Sequence, residues 1–315
     1  MKTLVTGTNG FIGSALYEKL RKNGVSVRGV VRELKSKSDS AEIAAIGHFS
    51  SETDWTIALR NVSNVVHLAA RVHIMNDLSS DPLAEFRRVN VEVTASLARQ
   101  AAAAGVRRFV FLSSIKVNGE FTEVGRPFTA DDVPAPEDPY GVSKHEAEQL
   151  LRQIASETGM EVVIIRPPLV YGPGVKANFE SLMRWLVRGV PLPLAAVTSN
   201  RRSLVALDNL IDLIVTSLNH PAAANQTFLV SDGEDLSTAD LLRRMGSALG
   251  RPVRLFYVPN AILKLCAAVV NKSGIYQRLC GSLQLDIVKT QQLLRWTPLV
   301  SVDDGIRQAA DGFRQ

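Results

Sequence analysis

A tyrosine stands four residues ahead of a lysine in "DPYGVSKHEAEQLL", residues 138–151. On a helix that spacing puts Tyr140 and Lys144 on one face. A free tyrosine loses its proton only near pH ~10, and a neighbouring ammonium favours the phenolate and lowers that value. Such a pair can exchange a proton with a substrate near neutral pH. Ordinary helix starts also carry this spacing, so the rest of the chain has to decide what the pair is for. A second pattern lies near residue 7. "KTLVTG" reads as a strand that runs into "GTNGFIG" and then into a helix. Gly7, Gly10 and Gly13 permit a tight turn and a close approach of backbone to a pyrophosphate resting on the helix N-terminus. The spacing is G-x-x-G-x-x-G, and its place between a strand and a helix marks it as a dinucleotide loop.

The end of the second strand reports on which dinucleotide. NAD sites usually place an acid there for the ribose hydroxyls. Here the strand ends "GVVRE": Val31 stands where the acid is expected and Arg32 follows. An arginine suits a 2′-phosphate, so NADP(H) is the preferred cofactor on this reading. Glu33 lies close enough to leave NAD(H) open.

The elements around these residues alternate. "VSVRGVV", "NVVHLAA", "RRFVFLSS" and "EVVIIRPPLVYG" read as strands, separated by helical stretches such as "PLAEFRRVNVEVTASLARQAAAAG". Strand–helix alternation predicts an α/β fold of the Rossmann type, a doubly wound parallel sheet over residues 1–172. Ligands in such sheets bind beyond the carboxyl ends of the strands. Residues 119–139 are rich in proline and acids and read as a long loop over the site. After Pro173 the alternation breaks down. Residues 173–315 are expected to form mainly a smaller α/β substrate-binding cap, with a strand and helix at about 203–220 returning to the main sheet.

Bulk properties narrow the classes. The chain has 315 residues, 46% hydrophobic, enough for a substantial core. Lys+Arg is 36 and Asp+Glu 31, and the mild excess is scattered. No basic run interleaves with aromatics, so a small anionic ligand is a better partner than nucleic acid. Cys266 and Cys280 lie in no metal-type spacing, so no metal site is expected, and a reducing cytoplasmic setting fits. The apolar run in "MKTLVTGTNGFIG" is too short for a signal peptide. "AILKLCAAVV", residues 261–270, contains Lys264 and reads as a buried helix, with no membrane insertion.

Three features stand in one order along the chain: the Gly7-Gly10-Gly13 loop, "FLSSIKVNGE" and Tyr140-x-x-x-Lys144. Together with "VVHLAA", "RPPLVYGPG" and "RRSLVALDNL" they resemble the extended short-chain dehydrogenase/reductase family, its nucleotide-sugar branch, over nearly the whole chain. The resemblance implies roles. Ser114 would hydrogen-bond the reacting sugar oxygen, Tyr140 would be the acid/base, and Lys144 would hold the nicotinamide ribose and depress the tyrosine pKa; Ser113 is read as structural. Gly7, Asn9, Gly10, Phe11, Ile12, Gly13, Leu68, Ala69 and Pro167 would line the cofactor. Asn178, Arg202 and Arg278 would hold the diphosphate of a UDP-sugar, with Arg201 the alternative to Arg202. The family also implies a homodimer.

Within that branch, dehydratases follow the catalytic Ser/Thr with an Asp-Glu pair. Here Ile115 and Lys116 follow, so elimination of water is not expected. Two chemistries at C4 remain. Arg32 favours a reductase of a UDP-4-keto-6-deoxy-N-acetylhexosamine, similar to the UDP-quinovosamine 4-dehydrogenase type that serves bacterial surface polysaccharides such as lipopolysaccharide O-antigen. The alternative is a UDP-hexose 4-epimerase with tightly bound NAD. A non-catalytic dinucleotide sensor or scaffold is the other class, and the intact Ser114, Tyr140 and Lys144 argue against it.

Overall fold

The computed structural model describes residues 1–33, 42–72, 81–269 and 272–314. Among these, seven strands form one parallel sheet: β1 (Lys2–Thr6), β2 (Ser26–Val31), β3 (Ile43–Ala45), β4 (Val62–His67), β5 (Arg108–Leu112), β6 (Glu161–Arg166) and, later in the chain, a short strand at Thr227–Leu229. Between β6 and that last strand lie β7 (Leu169–Tyr171) and β8 (Arg202–Ala206), which makes Thr227–Leu229 β9 and Asp235–Leu236 β10. The main order is β3-β2-β1-β4-β5-β6-β9. Its direction of winding reverses between β1 and β4, which opens a crevice at their carboxyl ends. Strands of a sheet covered on both faces carry continuous apolar runs, such as "VVII" in β6 and "FVFL" in β5.

One face of the sheet is covered by the helices Phe11–Lys22 and Leu207–Asn219, the other by Val93–Ala103 and Pro139–Thr158. β7, β8 and β10 form a separate three-stranded sheet. β8 pairs there with β7 in parallel and with β10 antiparallel, which corrects the strand half of the expectation for about 203–220. Helix Leu207–Asn219 packs on the main sheet, and β9, pairing with β6, is the strand that extends it. A third core builds the cap around Tyr171, Phe179, Met183 and Leu242. Asp232 fastens it. Its carboxylate accepts from Tyr171 Oη at 2.8 Å, from Asn209 Nδ2 at 2.7 Å and from the Ala206 amide at 2.8 Å.

Two further differences from the sequence reading stand out. The helical stretch after Pro82 is interrupted by a π-helical turn at Arg88–Glu92. The stretch read as a buried helix is helical at Asn260–Val269, but none of its residues is buried. Val270, the last of that stretch, lies outside the described residues.

Candidate active site

The glycine loop sits at the end of β1, and the close approach is measurable. Gly7 has a φ of +74°, and a Cβ there would lie 2.9 Å from the Ala69 amide nitrogen. A Cβ on Gly13 would lie 2.1 Å from the Gly7 carbonyl oxygen. Both neighbours are backbone, so neither can give way. Gly10 caps the helix Phe11–Lys22, whose first turn has no acid and no side-chain cap. That leaves orphan amides and a positive dipole end for an anion. Thr6 ties the loop to the end of β4. Its Oγ1 accepts from the Leu68 and Ala69 amides, both at 3.2 Å, and meets His67 Nδ1 at 2.7 Å. Asn9 is exposed at the turn, and Phe11 packs against both the sheet core and the cap core. Ile12 packs on the sheet core. The crevice thus has the shape and polarity for a dinucleotide pyrophosphate.

Val31 is buried at the end of β2, and Arg32 and Glu33 are exposed beside it. The strand end continues into the pairing with β3, where Ile46 N–H donates to the Val31 carbonyl at 3.1 Å.

Ser114 and Tyr140 meet. Ser114 leaves β5 in extended conformation and caps a short 3-10 turn, accepting from the Lys116 amide at 3.2 Å. Its hydroxyl lies near the Tyr140 phenol and lowers the phenol's pKa. Ser113 points the other way and donates to Glu148 Oε1 at 2.5 Å. Pro167 is buried at the end of β6, and its carbonyl accepts from the Ile115 amide at 3.0 Å.

Tyr140 opens the helix Pro139–Thr158, capped by Asp138, whose carboxylate accepts from the Gly141 amide at 2.6 Å. One turn on, Lys144 is buried, with Nζ 3.9 Å from the centroid of the Phe111 ring. Burial pulls the Lys144 ammonium down to about 7, against a smaller opposing pull from Glu148. Burial, and then the Asp138 carboxylate, push the Tyr140 phenol up to about 12, with Ser114 lowering it. The expected depression of Tyr140 by Lys144 is therefore not what the protein alone produces. A lysine that is half neutral near pH 7 offers little charge to its neighbour, and desolvation wins.

The structure shows partners that the sequence reading did not single out. Beneath Ser114 lies a buried ion pair in which Arg166 Nε and Nη2 donate to Glu148 at 2.9 and 2.6 Å. Arg166 Nη1 donates to Asn118 Oδ1 at 2.9 Å. Lys116 donates to Glu120 at 2.8 Å and to the capping Asp138 at 2.5 Å. From the cap, Arg202 faces the same cluster: burial lowers its pKa and Glu120 opposes that. Behind Tyr140, the π-turn residue Asn90 donates to Ser143 Oγ at 3.0 Å, and Ser143 Oγ–H donates to the Tyr140 carbonyl at 2.8 Å. Arg166, Glu148, Asn118 and Asn90 had no local signal. Glu148 reads as one more helix acid, and no sequence pattern marks a π-turn.

The three sugar-side candidates separate. Arg202 donates to the Gly281 carbonyl at 3.1 Å and is largely desolvated. Arg201 is held on the outside by the Thr198 and Asn200 carbonyls, both at 2.9 Å. Asn178 is exposed in the first turn of helix Ala177–Val187. Arg278 is exposed and bonds the Gly274 carbonyl of its own helix at 3.2 Å, so the structure does not bring it to the others. The 119–139 loop is stitched to the C-terminal part: Thr122 N–H donates to Ser282, Phe128 N–H to Gln284 and Asp286 N–H to Phe128.

Residues 3–231 match the model of the NAD dependent epimerase/dehydratase family. The chain belongs to that family. It is an enzyme of the extended short-chain dehydrogenase/reductase type. It is 49% identical over 313 residues to a UDP-glucose 4-epimerase of Vibrio cholerae, covering 99% of this chain and 95% of that protein. A UDP-glucose 4-epimerase of Mycolicibacterium smegmatis is 29% identical, covering 100% of this chain and 99% of that one. Among solved structures, MoeE5 in complex with UDP-glucuronic acid and NAD is similar at a TM-score of 0.79 and 26% identity, over 100% of this chain and 99% of that one.

Proposed function

We propose that the protein is a UDP-sugar 4-epimerase that holds NAD and interconverts UDP-glucose and UDP-galactose, or their 2-acetamido counterparts. The observation that carries this reading is the Ser114–Tyr140 hydroxyl pair at the end of β5, with Lys144 buried one turn further along the same helix. The likeness to the Vibrio cholerae UDP-glucose 4-epimerase supports epimerisation over the C4 reduction that Arg32 suggested, and the NAD in MoeE5 supports NAD over NADP.

The glycine loop and the open helix N-terminus would hold the pyrophosphate, with Leu68, Ala69 and Pro167 along the crevice. Bound NAD supplies the acceptor and donor of the C4 hydrogen. Tyr140 removes the proton of the C4 hydroxyl and later returns it, and the sugar turns over in between. Ser114, beside Tyr140, donates to that oxygen and orients it. Lys144 holds the ribose, and in its ammonium form stabilises the phenolate. Ile115 and Lys116 stand where dehydratases carry an Asp-Glu pair, and the nearby carboxylates of Glu120 and Asp138 are both held by Lys116. The cap, mainly residues 173–315, would hold the UDP through Arg202 and the helix start at Asn178.

Denaturing the purified protein and identifying the released nucleotide tests the reading, together with C4 interconversion of UDP-glucose or UDP-N-acetylglucosamine without added cofactor. Stoichiometric NAD and interconversion are expected. A nucleotide-free protein that reduces a 4-keto sugar with added NADPH would return the assignment to the reductase.

A further inference from the structure

The helices Asn260–Val269 and Ser273–Cys280 pack against each other and contain no buried residue. Leu263 and Ala267 of the first, one turn apart, are half-buried, and Leu263 packs on the cap core. The opposite side is apolar too. Ile262, Leu265 and Val269 form an outward stripe at i, i+3 and i+7, with Leu265 65% and Val269 79% exposed. Tyr257 is 72% exposed, and Phe256 and Ile275 are exposed as well. Single exposed apolar side chains are ordinary, but six within Phe256–Ile275 form a patch that calls for a partner.

The charge of the segment indicates which partner. From Met245 to Leu285 the chain carries Arg251, Arg254, Lys264, Lys272 and Arg278 and no aspartate or glutamate. All five are exposed. The rest of the chain mixes both signs, so this is a local field and not a reflection of the net charge of +5.

We propose that this helix pair docks the protein on an anionic lipid bilayer surface, with the stripe lying in the interface. Apolar side chains flanked by lysine and arginine, with aromatics at the edge, supply both terms of interfacial binding: burial among acyl chains and attraction to anionic headgroups. The first helix has 10 residues, half the length a span requires, so it lies on the surface and does not cross. A second copy is a poor fit. A two-fold contact through this stripe sets the same patch against itself and brings charges of like sign together. The proposal does not depend on the chemistry at C4.

The test is co-sedimentation of the full chain with vesicles of phosphatidylcholine, with and without phosphatidylglycerol. Binding is expected only with phosphatidylglycerol, and it should weaken in high salt. Leu265→Glu with Val269→Glu should abolish it. Lys264→Gln with Lys272→Gln should weaken it about 25-fold, roughly fivefold for each charge. All four side chains are exposed, so far-ultraviolet circular dichroism and the thermal midpoint should stay as in the parent. Absence of binding to anionic vesicles overturns the proposal, and so does binding that neither pair of substitutions changes. A dimer in light scattering that Leu265→Glu dissociates, without vesicle binding, would assign the stripe to a second copy instead.

Discussion

Replacing Glu148 by glutamine removes the anion from a site that water cannot refill. The side chains of Glu148 and Arg166 are 1% and 2% exposed. The carboxylate accepts two bonds from Arg166 and one from Ser113. Without that charge, only neutral acceptors such as Asn118 Oδ1 are left for a buried guanidinium. Removing one partner of a buried pair costs about 3–5 kcal/mol, because the other charge stays desolvated. Urea unfolding followed by tryptophan fluorescence should show that loss as a lower midpoint at unchanged slope. A double variant, Glu148→Leu with Arg166→Met, should recover most of it, since no charge is then left buried. The active site registers the same change. Glu148 opposes the fall in the Lys144 pKa, so Glu148→Gln should take Lys144 below about 7 and move the alkaline limb of kcat/KM to lower pH. A stability loss under ~1 kcal/mol with an unmoved pH profile would refute the reasoning.

Tyr140→Phe should leave folding and NAD content intact and lower turnover by ~10²–10⁴, the usual worth of a general acid–base group; a variant with most of its rate would remove Tyr140 from the mechanism. Gly13→Ala should abolish NAD retention, because its Cβ meets the Gly7 carbonyl at 2.1 Å; the nucleotide released on denaturation measures it. Arg202→Ala should weaken UDP binding by about 1.5–3 kcal/mol, the worth of a charge-assisted bond, while Arg201→Ala should change little; calorimetric titration with UDP separates them. Lys144 has a folded pKa of about 7, below its unfolded value, so between about pH 7 and 10 the unfolded chain holds the extra proton and stability should rise with pH. In Lys144→Met that rise should vanish from the urea midpoints.

What the sequence determined by itself is the part of the protein written in local spacing. Three glycines between a strand and a helix, and a tyrosine one turn ahead of a lysine, are patterns whose geometry follows from the backbone they sit on. Apolar runs such as "EVVIIR" declare strands buried on both faces. For the same reason the order of elements led to a doubly wound sheet and to the crevice at its switch point. Tertiary structure decided whatever depends on residues far apart in the chain. Ser113 and Ser114 are adjacent and chemically alike, and only the packing of Glu148 beneath β5 turns one inward and leaves the other to Tyr140. Arg201 and Arg202 are likewise separated by the carbonyls that hold them, Thr198 and Asn200 for one and Gly281 for the other. β8 reads like any strand of the main sheet, yet it pairs with β7 and β10 because β9 takes the edge of β6. The pKa of Tyr140 was misjudged from spacing because desolvation, set by everything packed around the pair, outweighs a lysine that burial has itself made half neutral. Helix Asn260–Val269 looks like core in its composition, but composition does not say what covers a helix, and in the described chain only one side of it is partly covered.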